Sequence, residues 1–150
     1  MLALSQLSLK GRALRALAGR EHSRVELERK LSPHEAAPGE LAHILDDLTA
    51  KGFISEERVA QSVIHRRASK LGTARVVQEM RAKGLDNDTV AQATEQLKAT
   101  EFARAQEAWQ RKFGEPATTP AERAKHMRFL ASRGFAPEVI RKAVQGSDED

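Results

Sequence analysis

The sequence predicts an all-α protein of three tandem three-helix repeats, helix-turn-helix-like units stacked into an elongated curved array. Three observations predict this. Apolar residues recur at helical spacing: Leu41, Ile44, Leu45 and Leu48 form one stripe, Phe102, Ala105, Trp109 and Phe113 another, and no segment alternates with period two. Aromatic residues are 4% of the chain and Tyr is absent, so the core is aliphatic and Ala-rich, a composition that favours helices. The pattern also returns: Leu31, Met80 and Leu130 are 49 and 50 residues apart, and Leu41, Val90 and Ile140 keep the same offsets.

Punctuation divides the chain into nine expected helices, at 9–19, 23–32, 39–51, 55–70, 73–83, 87–98, 100–113, 119–133 and 137–146. Ser23 with Glu26, and Thr119 with Glu122, read as capping boxes, the second with Pro120 in the first helical position. Gly52, Gly84 and Gly134 each follow Lys or Arg, as at a helix C-terminus. In a Schellman cap the residue after the glycine touches the residue four before it. Those pairs are Leu48 with Phe53, Met80 with Leu85, and Leu130 with Phe135, all apolar. Pro38, Asn87 and Pro137 each fall where the third helix of a triplet begins. The units are then 1–52, 53–98 and 99–147, followed by an acidic tail at 148–150.

With no Cys, disulfides and thiolate metal sites are excluded. The start, MLALSQLSL, is a poor signal peptide, because it is short and lacks a basic leading region. No apolar stretch is long enough for a membrane span, so the expected compartment is the cytoplasm.

The net charge of +4 is sorted along the chain. Residues 1–31 carry +4, 35–57 carry −5, 58–83 carry +6, 86–101 carry −3 and 104–142 carry +5. First and second helices are therefore basic, while the third helices of units one and two are acidic. A basic face of this kind suits phosphate or an acidic protein surface. The candidate contact residues are Arg58, Arg66, Arg67, Lys70, Arg75, Arg81, Arg104, Arg111, Lys112, Lys125, Arg128 and Arg133. On a helical wheel Arg104 and Arg111 lie opposite Trp109, and Arg75 opposite Val76 and Met80. Arg58 and Arg66 avoid the Ala60, Val63, Ile64 stripe, while Arg67 falls near it and is placed to snorkel or to pair with an acid. Lys83 and Arg133 also suit helix C-termini. Trp109 reads as core. Phe129 lies across the wheel from Ala124 and Met127, which suits packing on a neighbouring helix first and an exposed anchor for a partner second.

Catalytic signatures are missing. The sequence has no phosphate-binding glycine loop of either common type and no metalloprotease motif among His22, His34, His43, His65 and His126. His43, Asp46 and Asp47 have one-face spacing, but exposed helical acids are common and carry no metal expectation. The reading is a binding protein with no cofactor, no metal and no small-molecule substrate.

Five segments, in order, resemble one family: SRVELERKL (23–31), GFISEERVA (52–60), LGTARVVQEMRAKGL (71–85), WQRKFG (109–114) and RFLASRGFAPEVI (128–140). Together they are similar to the RecX family, regulators of the RecA recombinase, over roughly residues 10–145. Val59 departs from the pattern, which usually has an aromatic there. The resemblance implies a cytoplasmic helical protein that binds the RecA–DNA filament along its groove and usually restrains ATP hydrolysis, strand exchange and repressor co-cleavage. It transfers no catalytic residue. A monomer is expected, with direct contact to single- or double-stranded DNA phosphates left open.

Two other classes compete. A DNA-binding protein using its triplets as helix-turn-helix modules needs an outward recognition helix rich in Arg, Asn and Gln. The acidic third helices argue against it. A general helical adaptor is the other.

Overall fold

The computed structural model describes residues 7–145. The acidic tail 148–150, the first six residues and the expected last residue of the final helix lie outside them. Among the described residues the chain forms eight α-helices, one short 3-10 helix and no strand. They are α1 (Leu9–Gly19), α2 (Arg24–Leu31), α3 (Glu40–Ala50), α4 (Glu56–Arg67), α5 (Thr73–Ala82), α6 (Asn87–Lys112), α7 (Pro120–Ser132) and α8 (Pro137–Gln145), with the 3-10 turn at Ser32–His34. No described helix is long and apolar enough to cross a membrane.

The caps behave as their residue types dictate. The Ser23 side chain accepts from the Glu26 backbone, and Glu26 returns the bond to the Ser23 amide. At α7 only half of the expected box forms. Thr119 accepts from Glu122, but the Glu122 carboxylate reaches Thr118 instead. Gly52, Gly84 and Gly134 all have positive φ. The residue after each donates back to Leu48, Met80 and Leu130 respectively, the expected Schellman closure. Leu85 and Phe135 are buried there, but Phe53 is 48% exposed and Ile54 takes the core position beside it.

The expected break between 87–98 and 100–113 does not exist. α6 runs unbroken for 26 residues, about 39 Å at 1.5 Å per residue. Lys98, Ala99, Thr100 and Glu101 include no Gly or Pro, so nothing stops the helix from propagating. The expected unit boundary at 98/99 therefore falls inside one helix. Its first half buries Val90, Ala93 and Leu97 with α4 and α5; its second half buries Ala105, Ala108 and Trp109 with α7 and α8.

Three separate cores result. Leu27, Leu31, Leu45 and Leu48 centre the first, Val63, Val76, Met80 and Leu97 the second, and Trp109, Leu130, Ile140 and Val144 the third. Neighbouring units meet by one recurring device, in which the start of a second helix docks on the helix–turn–helix joint of the next unit. Ser23 Oγ donates to the Lys83 carbonyl, and from the last turn of α2 Arg29 adds a bond to Ala82 O at 2.9 Å. The Gly72 amide donates to Arg133 O at 2.7 Å, and Arg75 donates to Ser132 O at 2.7 Å. Ser23 and Gly72 are 49 residues apart, and Lys83 and Arg133 are 50 apart, so the two junctions are repeat-equivalent. A Cβ on Gly84 would sit 2.5 Å from the Val25 side chain, so the joint must be bare where the preceding helix arrives.

Candidate basic site at the junction of the second and third units

Where the two units meet, a cavity of about 440 Å³ opens between the turn after α4, the end of α6 and the end of α7. Lys70, Arg111, Lys112 and Arg133 line it with Ala108 and Phe129. Each cation reaches this place for a local reason. Arg111 and Lys112 occupy the last turn of α6, and Arg133 is the C-cap of α7, where cations offset the helix dipole. Arg111 also donates to Ser69 O at 2.6 Å, which ties the turn after α4 to α6.

Phe129 forms the apolar wall. The Arg133 guanidinium lies 5.1 Å and the Lys112 ammonium 5.7 Å from its ring centroid, both within cation–π range. The ring is fixed from behind by an edge contact to Phe113 at 5.6 Å, and Phe113 stacks on His126 at 3.8 Å. Trp109 Nε1 donates to His126 Nδ1 at 3.1 Å. Because an indole N–H only donates, Nδ1 is the acceptor and the neutral imidazole carries its proton on Nε2. A stack of buried Trp109 and His126 with partly buried Phe113 thus holds one half-buried phenyl ring against four exposed cations. Among the described residues no carboxylate lies within 4.0 Å of these four. The cavity can take an anionic group and lay a flat or apolar moiety on Phe129.

The other expected contact residues are dispersed. Arg58 is held by Glu21 at 2.9 Å and donates to Gly52 O at 2.7 Å. Arg66 and Arg67 share Glu79, at 3.7 and 3.0 Å. Arg75 serves the junction through Ser132. Arg81 lines a different groove with Lys98 and Glu101. Lys125 and Arg128 are exposed on α7, away from the cavity.

Arg104 corrects the expectation made for it. It is 8% exposed, so it offers no face to a partner. Its guanidinium donates to the carbonyls of Ala68, Leu71 and Leu97 and to the hydroxyls of Thr73 and Thr100. Beside it, buried Glu101 accepts from the Thr73 amide at 2.8 Å. Burial pulls the Arg104 pKa below its ordinary value while the Glu101 charge pushes it back. The wheel misplaced this residue because the middle of α6 is covered on two sides. Asp46 and Asp47 are occupied by Arg24, Lys10 and Lys51, and no group of three metal-ligating side chains occurs among the described residues.

Sequence reading named the four cations, and for Phe129 it put packing on a neighbouring helix ahead of an exposed anchor for a partner. The signal for its second role was present in Lys112 and Arg133, but only the fold brings α6 and α7 to one wall.

Tandem three-helix units joined end to end, with a basic cavity at a joint, define a class of helical repeat proteins. Comparison with known proteins names the family. Residues 55–93 match the model for the second three-helix domain of RecX and residues 99–144 that for the third. The chain is 50% identical over 145 residues to the regulatory protein RecX of Leptothrix cholodnii, covering 97% of this chain and 92% of that one. It is 48% identical over 142 residues to RecX of Ralstonia nicotianae, covering 95% and 89%. The crystal structure of RecX from Lactobacillus salivarius superposes with a TM-score of 0.73 at 19% identity, covering 91% and 92%. The chain belongs to the RecX family.

Proposed function

We propose that this chain is a regulator of the RecA recombinase that binds the RecA–DNA filament and restrains ATP hydrolysis, strand exchange and repressor co-cleavage. It acts by binding rather than by catalysis, in the cytoplasm and as a monomer. The observation that carries the reading is the junction cavity: four cations with no carboxylate within 4.0 Å among the described residues, around one aromatic wall, in a chain whose relatives are regulatory proteins RecX. The cavity takes an acidic group of the filament, and the row of units gives the protein a footprint longer than one recombinase subunit.

The test is ATP hydrolysis by RecA on single-stranded DNA, titrated with this protein. Inhibition well below one molecule per recombinase subunit supports the reading, and no effect at saturation rejects it. Changing Arg111 and Lys112 together to Ala raises the half-inhibitory concentration at least tenfold; an unchanged value removes the cavity from the contact. The reading as an independent helix-turn-helix DNA binder is disfavoured by the acidic character of α3 and of the first half of α6.

A further inference from the structure

A second basic cavity lies in the first unit, about 570 Å³ in volume, far in sequence from the junction cavity. Arg12, Arg15, Arg20, His22, Lys30 and His34 line it, with no acidic residue among the lining. Arg12 and Arg15 sit one turn apart in the middle of α1, so neither serves a helix end. Lys30 comes from the last turn of α2 and His34 from the 3-10 turn that follows. Arg20 is tied to Glu26 at 3.0 Å. Among the described residues, no carboxylate comes within 4.0 Å of Arg12, Arg15 or Lys30.

His22 forms the floor. It is 4% exposed, and its Nδ1 bonds to the Arg20 carbonyl at 3.0 Å. That bond assigns the proton to Nδ1 and fixes the ring plane, so Nε2 is a bare acceptor and His22 shapes the floor without donating to an anion. Like charges gathered around one concavity repel, and an anion in their midst removes the repulsion. Guanidinium groups match the oxygen geometry of phosphate by paired donation. No Phe, Tyr or Trp lines this cavity, so it lacks the phenyl wall that Phe129 gives the junction cavity.

From this geometry we infer that the first unit holds a phosphate-binding site, formed by Arg12, Arg15 and Lys30, that recognises the phosphate group by charge and paired donation. It is independent of the junction cavity and of the RecA reading. The phosphate comes either from free polyphosphate or from a nucleic-acid backbone, and the experiment separates the two.

The full-length chain is titrated at low salt with sodium pyrophosphate and, separately, with a twelve-residue oligothymidylate, following backbone amide resonances. Shifts centred on residues 12–34 with pyrophosphate identify a free-anion site. Shifts there with the oligonucleotide alone identify a backbone site. Arg12→Gln with Arg15→Gln weakens the bound probe at least tenfold, and in the oligonucleotide case lowers the salt slope by about 1.4, at 0.7 per phosphate on single strands. Lys30→Gln, an exposed change, gives a smaller loss and serves if the double variant folds poorly. Arg111→Gln with Lys112→Gln leaves these shifts in place. Absence of shifts at 12–34 with both probes, or wild-type binding by the double and Lys30 variants, overturns the site. A chain that binds pyrophosphate yet leaves RecA hydrolysis unchanged keeps this site and loses the proposed function.

Discussion

The Gly72 amide donates to the Arg133 carbonyl across 2.7 Å, so the second and third units touch backbone to backbone. A Cβ on Gly72 would enter the van der Waals envelope of the Gly134 carbonyl group, where no flexible side chain can yield. Gly72→Ala is expected to destabilise the protein by about 1–3 kcal/mol through overpacking. Urea denaturation checks it, and a midpoint equal to wild type would show that the junction gives way freely.

Arg104 links the end of α4, the start of α5 and the middle of α6 through five acceptors. Arg104→Met leaves those carbonyls and Glu101 uncompensated and is expected to cost about 3–5 kcal/mol. Arg104→Lys keeps the charge but cannot reproduce the planar fork, so it recovers less than half of that loss. Full recovery by Lys in thermal melts would mean that charge alone matters there.

Glu26 bears on acid stability. Burial alone would raise its pKa, but the Ser23 amide, Arg20 and Lys83 together hold it down at about 2. A carboxylate depressed in the folded state contributes fully above its ordinary pKa of 4.5, and that contribution fades as pH falls toward about 2. Asp47 and Glu122 are lowered too, so the Glu26 share is the difference between wild type and Glu26→Gln. Melting temperatures of the two should diverge above pH 4.5 and converge toward pH 2. A constant gap would show that Glu26 acts through packing and not through charge.

The junction cavity makes a salt-dependent prediction. If it holds duplex phosphates, Arg111→Ala with Lys112→Ala lowers the slope of log affinity against log salt by about 1.8, at 0.9 per phosphate. Weaker filament binding with an unchanged slope assigns the cavity to acidic protein surface. Phe129→Ala, which removes the wall beneath both cations, should weaken binding with little change in salt slope.

Much of this architecture was legible because its signals are local. A glycine flanked by apolar residues at the right offsets announced the turns at Gly84 and Gly134, and Ser23 with Glu26 announced the start of α2. The continuity of α6 was not, because repeat arithmetic implies a boundary wherever a period ends, and only the lack of a breaker at 98–101 spoke against it. Arg104 was misread because a wheel grants each helix one buried face, whereas α6 lies between two cores. Lys70, Arg111, Lys112 and Arg133 were all named in advance, among eight others of equal local appearance. Their convergence is a property of packing. Arg12, Arg15 and Lys30 were counted only as segment charge, since their concavity is made by α1 and α2 together.

The unbroken α6 makes the molecule mechanically unequal along its length. Units two and three share one beam of about 39 Å, which carries Val90 of the second core and Trp109 of the third. Among the described residues, no helix is shared by units one and two, which meet through the turn at 51–55, Val25 against Gly84, and polar links such as Arg29 with Ala82 and Glu26 with Lys83. Strain from a curved partner would therefore collect at that first joint, which acts as a wrist on a stiff forearm.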